Sequence, residues 1–155
     1  MAVCFFDTSA LVKYHHPEVG SQKVVSLIDD PTNRIFISRL TLIEWHSAFA
    51  GKVRTGTLSS SNFLIAQKGF YTDLRARKFS IISLERSHQQ HAVRLLKTYA
   101  STQNLRTLDA LQLAIALDFR KRSPLDHFVC ADAAFCQIGQ QEGLSVINPE
   151  ENTPP

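Results

Sequence analysis

The residues of this sequence best placed to do chemistry are four carboxylates: Asp7, Glu44, Asp109 and Asp132. Asp7 directly follows the apolar run 2–6, and Asp132 follows a second such run at 128–131. Short uninterrupted apolar runs of this kind predict buried strands of a parallel sheet. Asp109 falls in the first turn of an apolar helix, and Glu44 is the only acid of another.

Parallel strands end at one edge of a sheet, and the helices that follow them begin at that same edge. We therefore expect all four acids to converge there. Carboxylates held close together repel one another and raise each other's pKa unless a cation is present. Mg²⁺ or Mn²⁺ suits such an oxygen-only site, and an ion of this kind promotes the hydrolysis of phosphodiester bonds.

Each acid also has an ordinary structural explanation, which the residues alone leave open. Asp7 could simply make a turn, and Asp132 is a good N-cap for the next helix. Asp109 near a helix N-terminus complements the helix dipole. Glu44 is the hardest to explain in this way, because a carboxylate between Ile43 and Trp45 is costly to bury without a partner.

The elements that position these acids alternate along the chain. Strands are predicted near residues 2–6, 35–38, 79–83, 128–131 and 144–147. Helices are predicted at 9–15, 19–29, 40–53, 59–78, 84–100, 108–120 and 132–141. This order is typical of an α/β fold with a mostly parallel sheet between two helical layers. We predict one three-layer α/β/α domain with four to five short strands over residues 1–148, followed by a loose tail over 149–155.

Three helices carry more specific expectations. The helix at 40–53 is apolar beyond one stripe, with Ile43 outside it, so we expect burial on more than one side. In the helix at 84–100, Val93 is expected to face inward, whereas His88 and His91 are expected on a solvated face. Thr107 is the expected cap of the helix that carries Asp109.

Composition limits the class of protein. The chain has 155 residues, of which 44% are hydrophobic and 20% charged, as in an ordinary globular domain. No apolar run approaches the roughly 20 residues of a membrane span, and the N-terminus lacks the basic start of a signal peptide. We expect a cytoplasmic protein with reduced, buried thiols at Cys4, Cys130 and Cys136. The net charge of +3 permits, without requiring, a polyanionic partner.

The sequence closely resembles the PIN-domain family, and in particular the VapC-type toxin ribonucleases. The motifs that carry the resemblance are FDTSALVK at 6–13, LIE at 42–44, TLDAL at 107–111, ADAAF at 131–135 and GLSVINP at 143–149. They occur in the family's order over nearly the whole chain. Each motif alone is weak evidence for the family, whereas all of them in this order are fairly specific to it.

The resemblance implies a Mg²⁺- or Mn²⁺-dependent endoribonuclease, the toxin of a type II toxin–antitoxin pair, that acts on structured RNA of the tRNA or rRNA class. Its metal ligands and catalytic acids would be Asp7, Glu44, Asp109 and Asp132, of which Asp7 and Asp109 match best. Ser9 and Thr107 would orient those ligands. The resemblance also implies a homodimer and an antitoxin protein that blocks the site.

The sequence departs from the family's pattern after Asp132. Ala133 and Ala134 stand where a further aspartate often occurs, which leaves the number of metal ions open.

Two other functions are compatible with an acid at the end of a strand. The first is a non-catalytic PIN-like module that binds RNA or protein and whose acids are structural. The second is a phospho-acceptor domain, but Asp7 lacks the adjacent acid and no lysine follows the last strand.

Overall fold

The central strand β1 (Val3–Phe6) is buried along its whole length in a computed structural model that describes residues 1–151. Five strands form one sheet in the order β3-β2-β1-β4-β5, and every pair is parallel. The other four are β2 (Arg34–Ser38), β3 (Ser80–Ile82), β4 (His127–Val129) and β5 (Val146–Ile147). The predicted fold, with its mostly parallel sheet of four to five strands, is confirmed.

Seven helices connect or follow these strands in the described chain. They are α1 (Thr8–His15), α2 (Ser21–Ile28), α3 (Thr41–Arg54), α4 (Ser60–Arg75), α5 (Arg86–Tyr99), α6 (Thr107–Arg122) and α7 (Ala133–Gln141). No helix within residues 1–151 is both long and apolar enough to span a membrane.

Alternation along β1 sends its side chains into two separate cores. Phe5 packs with Phe128 and the apolar residues of α5, α6 and α7. Cys4 and Phe6 pack with α1 to α4, where Trp45 and Phe49 are fully buried. The sheet therefore lies between two helical layers.

The position of β1 also determines where a site can form. β2 pairs with one side of β1, and β4 pairs with the other. The crevice at the carboxyl end of such a strand is where open α/β sheets place ligands. Asp7 is the first residue after β1.

Several helix faces differ from those predicted. Ile43 is 70% exposed, so α3 is buried on one side only, where Trp45 and Phe49 pack. Val93 is 50% exposed because α5 buries Ala92 and Leu95 instead.

His88 is likewise buried rather than solvated. Its Nδ1 accepts the Glu85 backbone N–H at 2.9 Å, and its Nε2 lies 3.1 Å from Asp118 Oδ2 on α6. The prediction of a solvated His88 is therefore wrong, because the histidine has polar partners on two elements.

The segment after β5 contacts α1. Lys13 is buried, and its Nζ donates to Glu18 at 3.0 Å and to Glu150 at 2.5 Å. Residues 152–155 of the predicted tail lie outside the described residues, and the boundary at 148 stays a prediction. All three cysteines are free and buried, as expected.

Candidate functional site

Asp7 lies at the carboxyl end of β1 and caps α1. Its backbone N–H donates to Val129 O at 2.9 Å, which continues the ladder with β4. Its Oδ2 accepts the Ser9 backbone N–H at 3.0 Å and the Ser9 hydroxyl at 2.6 Å. Burial raises the pKa of Asp7, and the charge of Asp109 raises it further, against the lowering effect of the Ser9 hydrogen bonds. An ionised Asp7 is therefore costly at this position.

Asp109 and Asp132 are bridged by one guanidinium. Arg106 Nε donates to Asp109 Oδ2 at 2.9 Å, and Arg106 Nη2 donates to Asp132 Oδ2 at 3.4 Å. Asp109 Oδ2 also accepts the Arg106 backbone N–H at 3.3 Å, and Asp132 Oδ1 caps α7 by accepting the Phe135 N–H at 3.0 Å. Both acids therefore contribute to helix starts and to one ionic cluster.

Glu44 reaches the same region from the first turn of α3. Its Oε2 accepts the Thr8 hydroxyl at 3.0 Å and the Gln112 amide at 2.5 Å. Burial raises the pKa of Glu44, followed by the charge of Asp7, and the hydrogen bonds from Gln112 and Thr8 oppose this. Asp7 and Asp109 are thus close enough to Glu44 for their charges to raise its pKa, in agreement with the predicted convergence of the acids.

All four predicted acids line one cavity of about 270 Å³ at the carboxyl edge of the sheet. Ser9 and Arg106 line it too, together with Thr8, Ser47, Ala48 and Leu108. The chain thus gathers acids from the starts of α1, α3, α6 and α7 around a single opening.

The two residues predicted to orient the acids differ in placement. Ser9 Oγ contacts Asp7 and also accepts the Ala131 N–H at 3.0 Å, so it ties the end of β1 to the loop before Asp132. Thr107 is exposed at the first position of α6, and its hydroxyl makes no hydrogen bond within residues 1–151. Arg106, not Thr107, occupies the N-cap position of α6.

The family model of the PIN domain matches residues 4–140 of this chain. The chain belongs to the PIN domain family. The resemblance to the PIN-domain family stated from the motifs is therefore confirmed. Comparison with curated protein sequences gives no match.

Solved structures share this PIN fold over nearly the whole chain. VapC20 of Mycobacterium tuberculosis, a sarcin-ricin loop cleaving toxin, is 15% identical with a TM-score of 0.65, covering 94% of this chain and 99% of VapC20. VapBC2 of Rickettsia felis, bound to a promoter DNA fragment, is 15% identical with a TM-score of 0.62, covering 94% and 98%. A toxin–antitoxin complex of Klebsiella pneumoniae is 22% identical with a TM-score of 0.56, covering 96% and 99%. At these identities the likeness shows the fold.

The PIN family implies a divalent cation, and the donor chemistry of the cavity fits one. Its acids offer only hard carboxylate oxygens, the ligands that Mg²⁺ and Mn²⁺ prefer. Within residues 1–151, no three His, Cys, Asp or Glu side chains are already arranged as a metal site. Arg106 donates to Asp109 and Asp132, while Thr8 and Gln112 donate to Glu44. A divalent ion on Oδ2 of Asp109 or Asp132 would compete with this guanidinium.

Sequence reasoning missed three residues of this PIN site: Thr8, Arg106 and Gln112. Gln112 carried a usable signal, because it interrupts the apolar run of α6 and follows Asp109 by three positions, on the same helix face. Arg106 carried none, since an isolated arginine before a helix is ordinary.

Ser9→Ala should weaken the binding of Mn²⁺ to this PIN domain by about 10–100-fold, the usual cost of losing a residue that orients a metal ligand. The substitution frees Asp7 Oδ2 from its shortest contact. Calorimetric titration of metal-free protein measures the effect, with Ser26→Ala on the exposed face of α2 as control. An unchanged affinity would show that the Ser9 hydroxyl does not organise the site.

Proposed function

We propose that this PIN domain is a metal-dependent endoribonuclease, the toxin of a toxin–antitoxin pair that hydrolyses phosphodiester bonds in structured cytoplasmic RNA. The observation that carries the proposal is the convergence of four acids on one cavity at the carboxyl edge of the sheet. The raised pKa of Asp7 and of Glu44 supports it, because a bound cation would offset the cost of burying these charges.

Each of the four acids would have its own role. Asp7 and Asp109 would hold the Mg²⁺ or Mn²⁺ directly, and Asp132 would complete its ligands directly or through water. Glu44 would ligate the ion or orient a water bound to it. When bound, such an ion would polarise the phosphoryl oxygen and lower the pKa of the water bound to it.

The comparisons support the toxin assignment and its partners. VapC20, which shares the fold, cleaves the sarcin-ricin loop, and other structures of the same fold come from toxin–antitoxin complexes. By analogy we propose an RNA substrate, a cognate antitoxin protein and a homodimer. The net charge of +3 agrees with a polyanionic substrate.

Arg106→Ala should tighten Mn²⁺ binding, because the guanidinium and the metal compete for Asp109 and Asp132. The Arg106 side chain is 64% exposed, and exposed ion pairs contribute about 0.2–1 kcal/mol each, so each of the two lost pairs should add at most about a fivefold gain. Calorimetric titration measures it, with Arg54→Ala at the end of α3 as the control. Weaker binding in Arg106→Ala would show instead that Arg106 organises the acids for the ion.

Mapping of RNA ends after brief expression tests the proposed activity in the cell. The wild-type chain should generate new ends at one or a few positions in structured RNA, and the Asp7→Asn chain should not. Identical end profiles for the two chains would overturn the assignment. The same maps would identify the RNA that is cut.

A further inference from the structure

Gln112 is a polar side chain in the most apolar part of α6. It is fully buried, and its neighbours on the helix include Leu113 and Ala114, which are fully buried too. Its Nε2 lies 2.5 Å from Glu44 Oε2 and 3.1 Å from each of the hydroxyls of Thr8 and Thr41. One amide thus joins the start of α1 and the first turn of α3 to α6.

The other end of this amide has no partner in the described part of the chain. Gln112 Oε1 is buried and accepts no hydrogen bond from residues 1–151. A buried acceptor without a donor destabilises the folded state. Turning the amide over would not remedy this, because Oε1 would then face the carboxylate of Glu44 and two acceptors would oppose each other. In this orientation Gln112 donates to Glu44, while its own Oε1 is left without a donor from residues 1–151.

The same contacts fix one oxygen of Glu44. Oε2 receives both donors, the Gln112 amide from α6 and the Thr8 hydroxyl from α1. Oε1 accepts no hydrogen bond in the described part of the chain and is the oxygen that Glu44 can present to the cavity it lines. Two donors on separate elements restrict the carboxylate far more than either alone.

We infer that Gln112 is a positioning residue that holds the Glu44 carboxylate for the divalent ion of the proposed nuclease. The inference rests on the proposed function, because it assigns Glu44 to that ion. Thr41 supports the amide from α3, since its hydroxyl also lies 3.3 Å from that of Thr8 and 3.4 Å from that of Ser38.

The substitution Gln112→Met separates positioning from folding. Met has a similar unbranched shape, and it removes the unpartnered oxygen together with the amide donor. Thr8 still donates to Glu44, and Thr41 keeps its contacts with Thr8 and Ser38, so no buried donor loses its acceptor. We expect the metal-free variant to unfold at the wild-type temperature or above it. Its affinity for Mn²⁺ should fall about 10–100-fold.

A double-mutant cycle with Glu44→Gln decides whether Gln112 acts through Glu44. Mn²⁺ is titrated by calorimetry into wild type, Gln112→Met, Glu44→Gln and the double variant, and thermal unfolding in EDTA is recorded for each. In the Glu44→Gln background, Gln112→Met should change the Mn²⁺ affinity less than about twofold, because the carboxylate it positions is gone. Leu113→Met, a buried volume-conserving change on the same helix, should leave the affinity unchanged.

The outcomes separate this inference from the proposed function. Equal losses of affinity with and without the Glu44 carboxylate would overturn the positioning role and leave the nuclease proposal intact. So would a loss of thermal stability in Gln112→Met with unchanged Mn²⁺ affinity. A wild-type protein that binds no Mn²⁺ at all would overturn both.

Discussion

Asp7→Asn is expected to reduce RNA cleavage by more than about 100-fold while the protein remains folded. Loss of a residue that merely orients a metal ligand costs about 10–100-fold, so loss of a ligand should cost more. The fold should survive because asparagine also caps helices well and its Oδ1 can accept the Ser9 N–H. The substitution also removes a buried carboxyl group, the pKa of which is raised mainly by burial. Cleavage of labelled RNA and thermal unfolding in EDTA measure the two effects.

Asp30→Asn provides the matched control for this loss of activity. Asp30 is an exposed aspartate in the loop before β2, where it accepts the Thr32 N–H at 2.9 Å, so the same chemical change is made outside the cavity. Its cleavage rate should equal that of wild type. If Asp7→Asn cleaved RNA at the wild-type rate, Asp7 would not be one of the catalytic acids.

Mn²⁺ should raise the unfolding temperature of the wild-type protein by about 5–10 °C relative to EDTA. A ligand present at 100 times its Kd stabilises the folded state by about 2.7 kcal/mol, and one kcal/mol corresponds to roughly 2–4 °C for a chain of this size. Asp109→Asn should lose most of this shift, because it removes a proposed ligand. A thermal unfolding series over Mn²⁺ concentration measures both proteins.

The same series distinguishes the nuclease from a non-catalytic PIN module. If the acids are structural, Mn²⁺ should leave the unfolding temperature unchanged, and Asp109→Asn should lower it in EDTA, because the buried Asp109 carboxylate accepts both the backbone N–H and the side chain of Arg106 at the start of α6. Asp30→Asn again serves as the control for adventitious Mn²⁺ on surface carboxylates.

The fold was largely predictable because local patterns determine it. The apolar run before Asp7 and the alternation of strands with helices imply a parallel sheet, and the structure has one. Burial of individual faces was less predictable. His88 is buried with Asp118, thirty residues further along the chain, as its partner. The helical periodicity of apolar residues does not indicate a partner on another element.

The convergence of the acids could be anticipated for the same reason as the fold. Strands that run in parallel end at one edge, so Asp7 and Asp132 had to meet there. The contacts that hold Glu44 could not be anticipated, since its bond to Gln112 joins residues 68 positions apart. The bridge from Arg106 to Asp132 depends similarly on how α6 and α7 pack.

Cleavage of RNA by the purified protein under metal control tests the central claim most directly. Metal-free wild-type protein should not cut RNA in EDTA, should cut it when Mn²⁺ is supplied in excess, and should fail to do so in either condition when Asp7 and Asp109 are both replaced by asparagine. Equal cleavage by wild-type protein in EDTA and in Mn²⁺, or full cleavage by the double variant, would contradict the claim that this acidic cavity is a metal-dependent nuclease site.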